Sequence, residues 1–341
     1  MSAAPDWLFL CDGNDRSGLG HVGRCLGYAE MLADVGQRCA FQGCYGPAAV
    51  DMIESGGFYI QSLVGVGDMC QRSEWPQLPT KGILVDSYDV VADNFTSLRR
   101  HLGPQKRLLV LDDFAAHARY DCDGLINFTL GAANRIYPPG SARQHLGPGF
   151  FPVRRWLRRV REVAIRQGPV HTIRHVLVAA GGRDINGVIP AFLALLSSLG
   201  RDLRLGVLVG DDKLARASAE AWLPQLGSVQ LIERQPDLEQ WLGWADACLC
   251  GGGLMKYECL YAGVPILTLA QNAGQAEDSA RMASEGLIFD LGDVTDFSLE
   301  TELHVLNRFF DDAETRANMV RLGLGRVGGV SGMDGLLPFV A

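Results

Sequence analysis

The sequence predicts an α/β protein made of two Rossmann-like lobes that face each other across a cleft. Strand-like apolar runs alternate with helix-like runs along the chain, which is typical of a parallel sheet covered by helices. With 341 residues, the chain is longer than one hydrophobic core usually serves. The alternation breaks once near the middle and then restarts. These three observations favour two consecutive α/β units of comparable size.

The first lobe is predicted to span residues 1–150. Its opening strand is followed by an amphipathic helix at 24–35. Asn127 is the last residue of the final short strand predicted before the pattern breaks. The predicted strands of this lobe are 7–11, 38–42, 58–63, 82–85, 107–111 and 125–127.

The break lies in a segment rich in proline and glycine, followed by an arginine-rich helical stretch that ends near Arg166. We take 137–166 as the best linker candidate and assign 151–171 to a linker helix. A second, nucleotide-binding lobe is expected over 172–325, with a C-terminal tail at 326–341. Its predicted strands are 176–180, 203–209, 229–232, 245–250 and 265–269, the last of which completes the predicted sheet.

Composition excludes several functional classes. Apolar residues make up 48% and charged residues 21%, and the formal net charge is −8, which disfavours binding to nucleic acid. No signal peptide or membrane-spanning run is visible, so we expect a cytoplasmic protein without stable membrane insertion. The nine scattered cysteines, including Cys248 and Cys250, are expected to be reduced and buried. The sequence does not predict the oligomeric state.

No cofactor and no metal are expected. A dinucleotide-binding fingerprint with an acidic residue ~20 positions after its glycines is not convincingly present. Asp112 and Asp113 form a carboxylate pair after a predicted strand, but no further carboxylates are spaced to complete a magnesium site. An Asx turn is the commoner explanation for such a pair.

The most informative segment is the glycine-rich loop between the first strand and the first helix. It begins at Asp12 and Asn14 and ends at Gly20, His21 and Arg24. A glycine-rich turn at a helix start directs backbone N–H groups and a positive dipole at its ligand, and here it also carries an imidazole. The loop therefore predicts an anion-facing site with a built-in base, although a simple helix cap is the alternative.

Polar residues also follow other predicted strands, where ligands bind in open α/β sheets. Asp86 and Tyr88 follow the strand at 82–85, and they either form a turn or face the same site as His21. Gly182 lies in a glycine pair after the first strand of the second lobe.

The strongest signal of the second lobe is Gly251–Gly252–Gly253 at a strand-to-helix junction. Three adjacent glycines permit the close approach of a diphosphate, while a plain tight turn is the alternative. Glu258 follows in the helix, where its carboxylate can accept bonds from a ribose. Further candidate binding residues of this region are Leu254, Asn272 and Gln275.

Together these residues resemble the UDP-sugar hydrolases of the pseudaminic acid pathway and their spore-coat polysaccharide relatives. The wider superfamily that they resemble is that of the two-lobed (GT-B) glycosyltransferases, which include the lipid II-forming N-acetylglucosaminyltransferase. The matching segments are 12–14, 18–26, 85–88, 112–113, 121–123, 147–148, 153–154, 181–184, 245–246, 252–253, 258 and 263–265.

The resemblance implies a GT-B-like fold and metal-independent, inverting hydrolysis of a UDP-linked diacetamido-trideoxy-hexose. By resemblance, His21 is the catalytic residue, the second lobe binds UDP, and Glu258 contacts the ribose. We expect Asp12 and Tyr88 to orient the sugar or His21, and Arg154 to neutralise phosphate or reach the acetamido groups. The chain departs from the family at 254–257, where Leu-Met-Lys-Tyr replaces Ser-Thr-x-Trp, at 115–117, at 127–129 and at 272–275.

Two alternatives remain open at this level. A glycosyltransferase of the same fold would use His21 to deprotonate an acceptor hydroxyl instead of water. A non-catalytic nucleotide-sugar-binding protein would tolerate the altered glycine loop. The expected partner in each case is a UDP-linked amino sugar, which feeds nonulosonic acid or surface polysaccharide synthesis.

Overall fold

The computed structural model describes residues 4–75, 79–140, 142–235 and 237–328. The chain divides into two compact units, one that runs to Arg155 and includes Gly328, and one that spans Trp156–Val327. Of the predicted tail at 326–341, the part from residue 329 onward lies outside the described residues.

The first unit is built on a seven-stranded sheet in which every neighbouring pair is parallel. The strands are β1 (Trp7–Cys11), β2 (Cys39–Gln42), β3 (Tyr59–Ser62), β4 (Gly82–Asp86), β5 (Arg107–Leu111), β6 (Gly124–Asn127) and β7 (Arg143–Leu146). Their spatial order is β3-β2-β1-β4-β5-β6-β7. The helices are α1 (Gly20–Asp34), α2 (Pro47–Ser55), α3 (Val66–Arg72) and α4 (Ala92–Leu102). The next helix, α5 (Arg155–Gln167), begins at the last residue of this unit and otherwise belongs to the second unit.

The second unit repeats this plan with six parallel strands. The strands are β8 (His175–Ala179), β9 (Arg204–Leu208), β10 (Ser228–Ile232), β11 (Ala247–Cys250), β12 (Ile266–Ala270) and β13 (Phe289–Asp293). Their order is β10-β9-β8-β11-β12-β13, the Rossmann arrangement. The helices are α6 (Val188–Leu199), α7 (Lys213–Glu220), α8 (Glu239–Trp244), α9 (Leu254–Ala262), α10 (Ala273–Ser284), α11 (Leu299–Asp311) and α12 (Ala313–Arg326).

The central strands form because their side chains are apolar on both faces, as a parallel sheet covered by helices requires. All five residues of β1 and all five of β12 are buried. Strand order reverses beside β1 in the first unit and beside β8 in the second. Ligands bind outside the carboxyl ends of strands at such points. There, Cys11 lies opposite Asp86, and Ala179 lies opposite Cys250.

The structure confirms the two predicted Rossmann-like sheets and corrects two details. The segment at 137–166 is not simply a linker, because β7 lies inside it and pairs with β6. The strand at 265–269 does not complete the second sheet, because β13 pairs with β12. Both missed strands lie at sheet edges. Polar residues, and in β13 also a glycine, interrupt both segments, Arg-Gln-His-Leu in β7 and Phe-Asp-Leu-Gly-Asp in β13, and so they lack the apolar runs that identified the other strands.

Eight of the nine cysteines are buried, and none forms a disulfide. Cys248 and Cys250, which share β11, have no exposed surface, in agreement with their predicted role in the core. Within residues 4–328, the described helices are all too short or too polar to cross a lipid bilayer.

The buried His145 on β7 makes stability sensitive to acid. Burial, together with Arg143, lowers the pKa of His145 to about 4, whereas an unfolded histidine titrates near 6.5. Between these values the unfolded chain binds a proton that the folded chain does not. Folding is therefore fully stabilised above pH ~6.5 and loses stability as the pH falls toward ~4.

We expect His145→Gln to remove this dependence. Urea unfolding at pH ~7.5 and pH ~5 checks it: the wild type is expected to lose about 2 kcal/mol more than the variant between the two values. Equal losses would show that His145 titrates normally in the folded protein.

Candidate functional site

The candidate site of the first unit is organised by the loop between β1 and α1. Asn14 shapes this loop, since its Oδ1 accepts the backbone N–H groups of Arg16 at 2.9 Å and Ser17 at 3.1 Å. Asp12 anchors neighbouring segments, and its Oδ1 accepts the N–H groups of Cys44 at 2.8 Å and Val66 at 3.1 Å. Asn14 thus fixes the loop before α1, whereas Asp12 fixes the segment after β2 and the start of α3.

A buried network of charges lies directly behind this loop. His21 and Arg24 stand three residues apart on α1 and therefore share one face of the helix. His21 Nδ1 lies 2.7 Å from Oδ1 of Asp86, which ends β4 and has no exposed surface. Arg24 binds the same carboxylate with two nitrogens, Nε at 2.5 Å from Oδ2 and Nη2 at 2.6 Å from Oδ1. Such a bidentate pair fixes the guanidinium plane as well as its position.

The loop after β5 extends the network. Arg24 Nη1 donates to Oδ2 of Asp113 at 2.5 Å, and the Tyr88 hydroxyl donates to the same oxygen at 2.9 Å. Asp113 Oδ1 is buried without a donor among the described residues. The neighbouring Asp112 instead closes a turn by accepting the backbone N–H of Phe114 at 2.8 Å. Sequence reasoning treated this aspartate pair as a turn and so missed the ionic role of Asp113.

The protonation states in the network follow from these contacts. Burial raises the pKa of Asp86, but Arg24 and His21 lower it by more, so that the net pKa lies well below its ordinary value. Burial lowers the pKa of Arg24, while Asp113 and Asp86 raise it by more, and it stays charged. Burial of the Tyr88 hydroxyl beside Asp113 and Asp86 raises the pKa of Tyr88, so it stays a hydrogen-bond donor.

These states determine the tautomer of a neutral His21. Because Asp86 is an ionised acceptor, Nδ1 must carry the hydrogen that joins them. Nε2 is then left with a free lone pair. A histidine held in this way by a buried carboxylate has the arrangement of the base in a catalytic triad. The edge of the Tyr88 ring packs against the imidazole, with ring centroids 4.6 Å apart, and limits its rotation.

His21 faces a cavity of about 720 Å³ in the first unit. This volume lies in the range of small-molecule sites. Tyr88 is 60% exposed at its rim and contacts Phe114, with ring centroids 5.5 Å apart. The lining residues are Asp12, Asn14, Arg16, Ser17, His21, Cys44, Gly65, Gly67, Asp68, Cys70, Gln71, Ser87, Tyr88, Asp89, Val91 and Asn94.

Of the residues selected from sequence in the first lobe and the linker helix, the structure brings six together and places two elsewhere. Asp12, Asn14, His21, Arg24, Asp86 and Tyr88 form the cavity wall or the network behind it. Gly20 is exposed as the first residue of α1. Arg154 is buried in an ion pair, with its Nε 2.7 Å from Oε1 of Glu30 on α1.

The candidate site of the second unit is made by backbone at the carboxyl ends of β8 and β11. A Cβ atom on Gly251 would lie 2.2 Å from the carbonyl oxygen of Ala180, so only glycine fits there. A Cβ atom on Gly252 would lie 2.9 Å from Cβ of Gln275. Gly253 and Leu254 follow as the N-cap and first residue of α9, and no side chain caps its N–H groups. This geometry suits an anion.

Gln271, a residue outside the selected binding set, holds the loops around Gly251 together. Its Nε2 donates to the carbonyl oxygens of Ala180 at 2.9 Å and Arg183 at 3.0 Å, and its Oε1 accepts the N–H of Ile185 at 2.9 Å. Gly182 is exposed within the loop so held. Loop glutamines are common, and the local sequence therefore carried no signal for this role.

Asn272 and Gln275 begin α10 beside the glycine loop. Asn272 caps this helix by accepting the Gln275 N–H at 3.1 Å, and Gln275 Oε1 accepts the Gln271 N–H at 3.1 Å. On α9, Glu258 is half-buried. Lys256 is buried, and its Nζ lies 2.8 Å from Oδ2 of Asp278, which ties α9 to α10.

Among the described residues, no cluster of three or more histidine, cysteine, aspartate or glutamate side chains is arranged to hold a metal ion.

Comparison with known proteins supports the fold. No family model matches the chain. The chain is 25% identical to the spore coat polysaccharide biosynthesis protein SpsG of Bacillus subtilis (strain 168) over 204 residues, which is 59% of each protein. It spans less than two thirds of the length of the curated relatives that it matches.

Solved structures resemble nearly the whole chain. CalG4, the calicheamicin glycosyltransferase, has a TM-score of 0.61 at 16% identity and covers 99% of both chains. LpCGTa, solved in complex with UDP, has a TM-score of 0.67 at 12% identity and covers 99% of this chain and 100% of its own. The protein therefore has the GT-B fold, two Rossmann-like domains with parallel sheets of seven and six strands.

Two arginine–aspartate pairs of similar length offer a matched test of the buried network. Arg24→Met leaves Asp86 and Asp113 buried without their cation, and we expect a loss of about 3–5 kcal/mol in unfolding free energy. Arg16→Met breaks an exposed pair with Asp89, 2.6 Å long, and is expected to cost below ~1 kcal/mol. Urea unfolding of both variants checks this, and similar losses would contradict the assigned importance of burial.

The glycine loop can be tested in the same way. Gly251→Ala forces a Cβ atom against backbone that has no room, and we expect it to destabilise the second unit by about 1–3 kcal/mol. Gly253→Ala is the control, since the nearest atom to its added Cβ would lie 3.7 Å away. Hydrogen exchange of β8 and β11 measures both effects, and equal protection in the two variants would contradict the close approach.

Proposed function

We propose that this protein cleaves the bond between the anomeric carbon and the diphosphate of a UDP-linked amino sugar, with inversion and without a metal. His21 is the general base, Asp86 orients it, and the glycine loop of the second unit binds the diphosphate. The observation that carries the proposal is the 2.7 Å contact between His21 and the fully buried Asp86, at the wall of a cavity of about 720 Å³.

The proposed step is a single displacement. The oxygen of a water molecule forms a bond to the anomeric carbon while the bond from that carbon to the diphosphate oxygen breaks. The bonding electrons leave with UDP, and the proton of the water passes to Nε2 of His21. One attack from the face opposite the leaving group inverts the configuration. His21 later returns its proton to solvent.

The charge of the buried network supports this role. Asp86 and Asp113 bring two negative charges and Arg24 brings one positive charge, so the network has a net charge of −1 while His21 is neutral. Protonation of His21 brings the net charge to zero. The network therefore stabilises the imidazolium that forms as the proton is transferred.

The diphosphate site is proposed on the backbone of Gly251–Gly253 and the uncapped start of α9. N–H groups at a helix start stabilise the negative charge that grows on the departing diphosphate. Glu258 on the same helix is proposed to bind the ribose, in keeping with the family resemblance. LpCGTa, which has the same fold, was solved with UDP.

The substrate class follows from similarity rather than from contacts. The resemblance to pseudaminic acid pathway hydrolases implies a diacetamido-trideoxy-hexose. The distant relative SpsG is named for spore coat polysaccharide biosynthesis. We therefore propose that the released sugar enters nonulosonic acid or surface polysaccharide synthesis, and that reaction takes place in the cytoplasm, where nucleotide sugars are made.

Transfer to an acceptor is the second candidate function, and the cavity is the observation that favours it. Its volume and the exposed ring of Tyr88 in its lining suit a second sugar, since aromatic faces provide large apolar contact area. His21 would then take its proton from an acceptor hydroxyl, with the same bonds made and broken at the anomeric carbon.

The His21→Ala variant tests the proposed base. We expect turnover of a UDP-linked amino sugar to fall by about 10²–10⁴-fold, because the nucleophile is no longer deprotonated, while UDP affinity stays near that of the wild type. His101→Ala, an exposed histidine on α4, is the control with unchanged turnover. Steady-state kinetics and calorimetric titration with UDP measure the two effects. Parallel loss of turnover and UDP binding would contradict a catalytic role for His21.

The nucleophile can be identified by incubating the wild type with UDP-linked amino sugars in ¹⁸O-labelled water, without acceptor, and following phosphorus NMR and sugar mass. UDP release with the label on the sugar is expected for hydrolysis. UDP release that requires an added sugar acceptor would identify a transferase. Binding without cleavage under either condition would overturn the proposed activity and leave a binding protein.

A further inference from the structure

A lysine lies almost entirely inside the second unit, one turn after the glycine loop. Lys256 is the third residue of α9, and only 1% of it is exposed. Lysine side chains are almost never buried to this degree unless they are paired. This ammonium has no part in the proposed chemistry, although its helix begins at the proposed diphosphate site.

Two side chains on α10 hold the ammonium. Its Nζ lies 2.8 Å from Oδ2 of Asp278 and donates a hydrogen bond to Oγ of Ser279 at 3.2 Å. Asp278 Oδ2 also accepts the Tyr257 hydroxyl at 2.8 Å. The carboxylate offsets the cost of burying the positive charge, whereas the serine hydroxyl is a neutral partner.

Ser279 joins this ammonium to the glycine loop. It has no exposed surface, and a Cβ atom on Gly252 would lie 3.1 Å from its Oγ. An ammonium only donates hydrogen bonds, so the serine oxygen accepts from Lys256, and this contact holds it in place. The oxygen therefore lies beside Gly252, which has no Cβ atom to separate them.

The direction of the loop N–H groups depends on what packs behind the loop. Leu254 and Met255, which begin α9, carry no hydrogen-bond donor on their side chains, and no side chain caps the helix. Backbone N–H groups bind phosphate oxygens well only while they point at them. The atoms nearest to an added Cβ on Gly252 belong to Gln275 and Ser279, and of these two Ser279 is held by a charge.

We propose that Lys256 is a positioning residue of the diphosphate site, because its ammonium holds Ser279 against Gly252 and thereby fixes the direction of the loop N–H groups. This inference rests on the proposed function, in which those groups bind the diphosphate. The ammonium is too deeply buried to contact a ligand, so it acts through Ser279.

The two contacts of Lys256 can be removed one at a time. Asp278→Asn removes the counter-charge and is expected to lower the free energy of unfolding most, with a smaller effect on UDP binding. Ser279→Ala removes the neutral partner and is expected to weaken UDP binding by about tenfold, with a smaller loss of stability. Lys256→Met removes both contacts and is expected to show both losses. Calorimetric titration with UDP and urea unfolding measure the two quantities.

Uridine and a distant serine provide the controls. Uridine lacks the diphosphate, so its affinity is expected to stay the same in all three variants. Ser198→Ala changes an exposed serine on α6 of the same unit, and it is expected to leave UDP binding and stability close to those of the wild type.

A crossed pattern, in which Ser279→Ala acts mainly on UDP affinity and Asp278→Asn mainly on stability, supports the positioning role. UDP affinity that Ser279→Ala leaves unchanged, or that falls in proportion to stability in all three variants, overturns it and leaves the proposed function intact. Lys256 would then only join α9 to α10. A wild type that binds UDP no more tightly than uridine overturns the diphosphate site itself, and with it the proposed function.

Discussion

The buried ion pair between Arg24 and Asp86 is the constraint on which the first unit's site depends. Removing both charges from water is costly, and the cost is offset because each of the two Asp86 oxygens accepts a guanidinium nitrogen within 2.6 Å. The same contacts hold α1 against the end of β4 and fix where His21 lies. Asp113 adds a second carboxylate, which binds a further nitrogen of Arg24. One set of contacts thus determines both the packing of α1 and the position of the imidazole.

Each unit has its candidate site where the strand order of its sheet reverses, but the two sites are built differently. Beside β1, the first unit places charged side chains, and its chemistry depends on their protonation. Beside β8, the second unit places backbone, and its Gly251 lies so close to Ala180 that no side chain can intervene. A backbone site with a helix start favours an anion of any identity, whereas a site of side chains discriminates between ligands. This difference fits the proposed function, in which the second unit binds the diphosphate and the first unit determines the reaction.

Local sequence patterns predicted the parts that depend on neighbouring residues. Apolar runs revealed the central strands, and the spacing of His21 and Arg24 put them on one helix face. The strands β7 and β13 were missed because polar residues interrupt their short sequences, which therefore contain no apolar run. The partnership of Asp113 with Arg24 joins residues 89 positions apart, and that of Arg154 with Glu30 joins residues 124 apart. No local pattern reports such contacts, and for that reason the role of Gln271 also escaped prediction.

The proposed base, His21, does not by itself distinguish between hydrolysis and transfer to an acceptor. A base that accepts a proton at Nε2 works equally for water and for a sugar hydroxyl, since the pKa values of both nucleophiles lie far above that of imidazole. In the proposed reaction, the choice between water and a sugar hydroxyl must therefore depend on which of their oxygens occupies the cavity. A cavity lined by Asp12 and Asp68 favours groups that donate hydrogen bonds, and water competes with any hydroxyl that fits. Under the proposed function, specificity for the nucleophile thus rests on shape and charge in the cavity wall, because the proposed base is common to both candidate reactions.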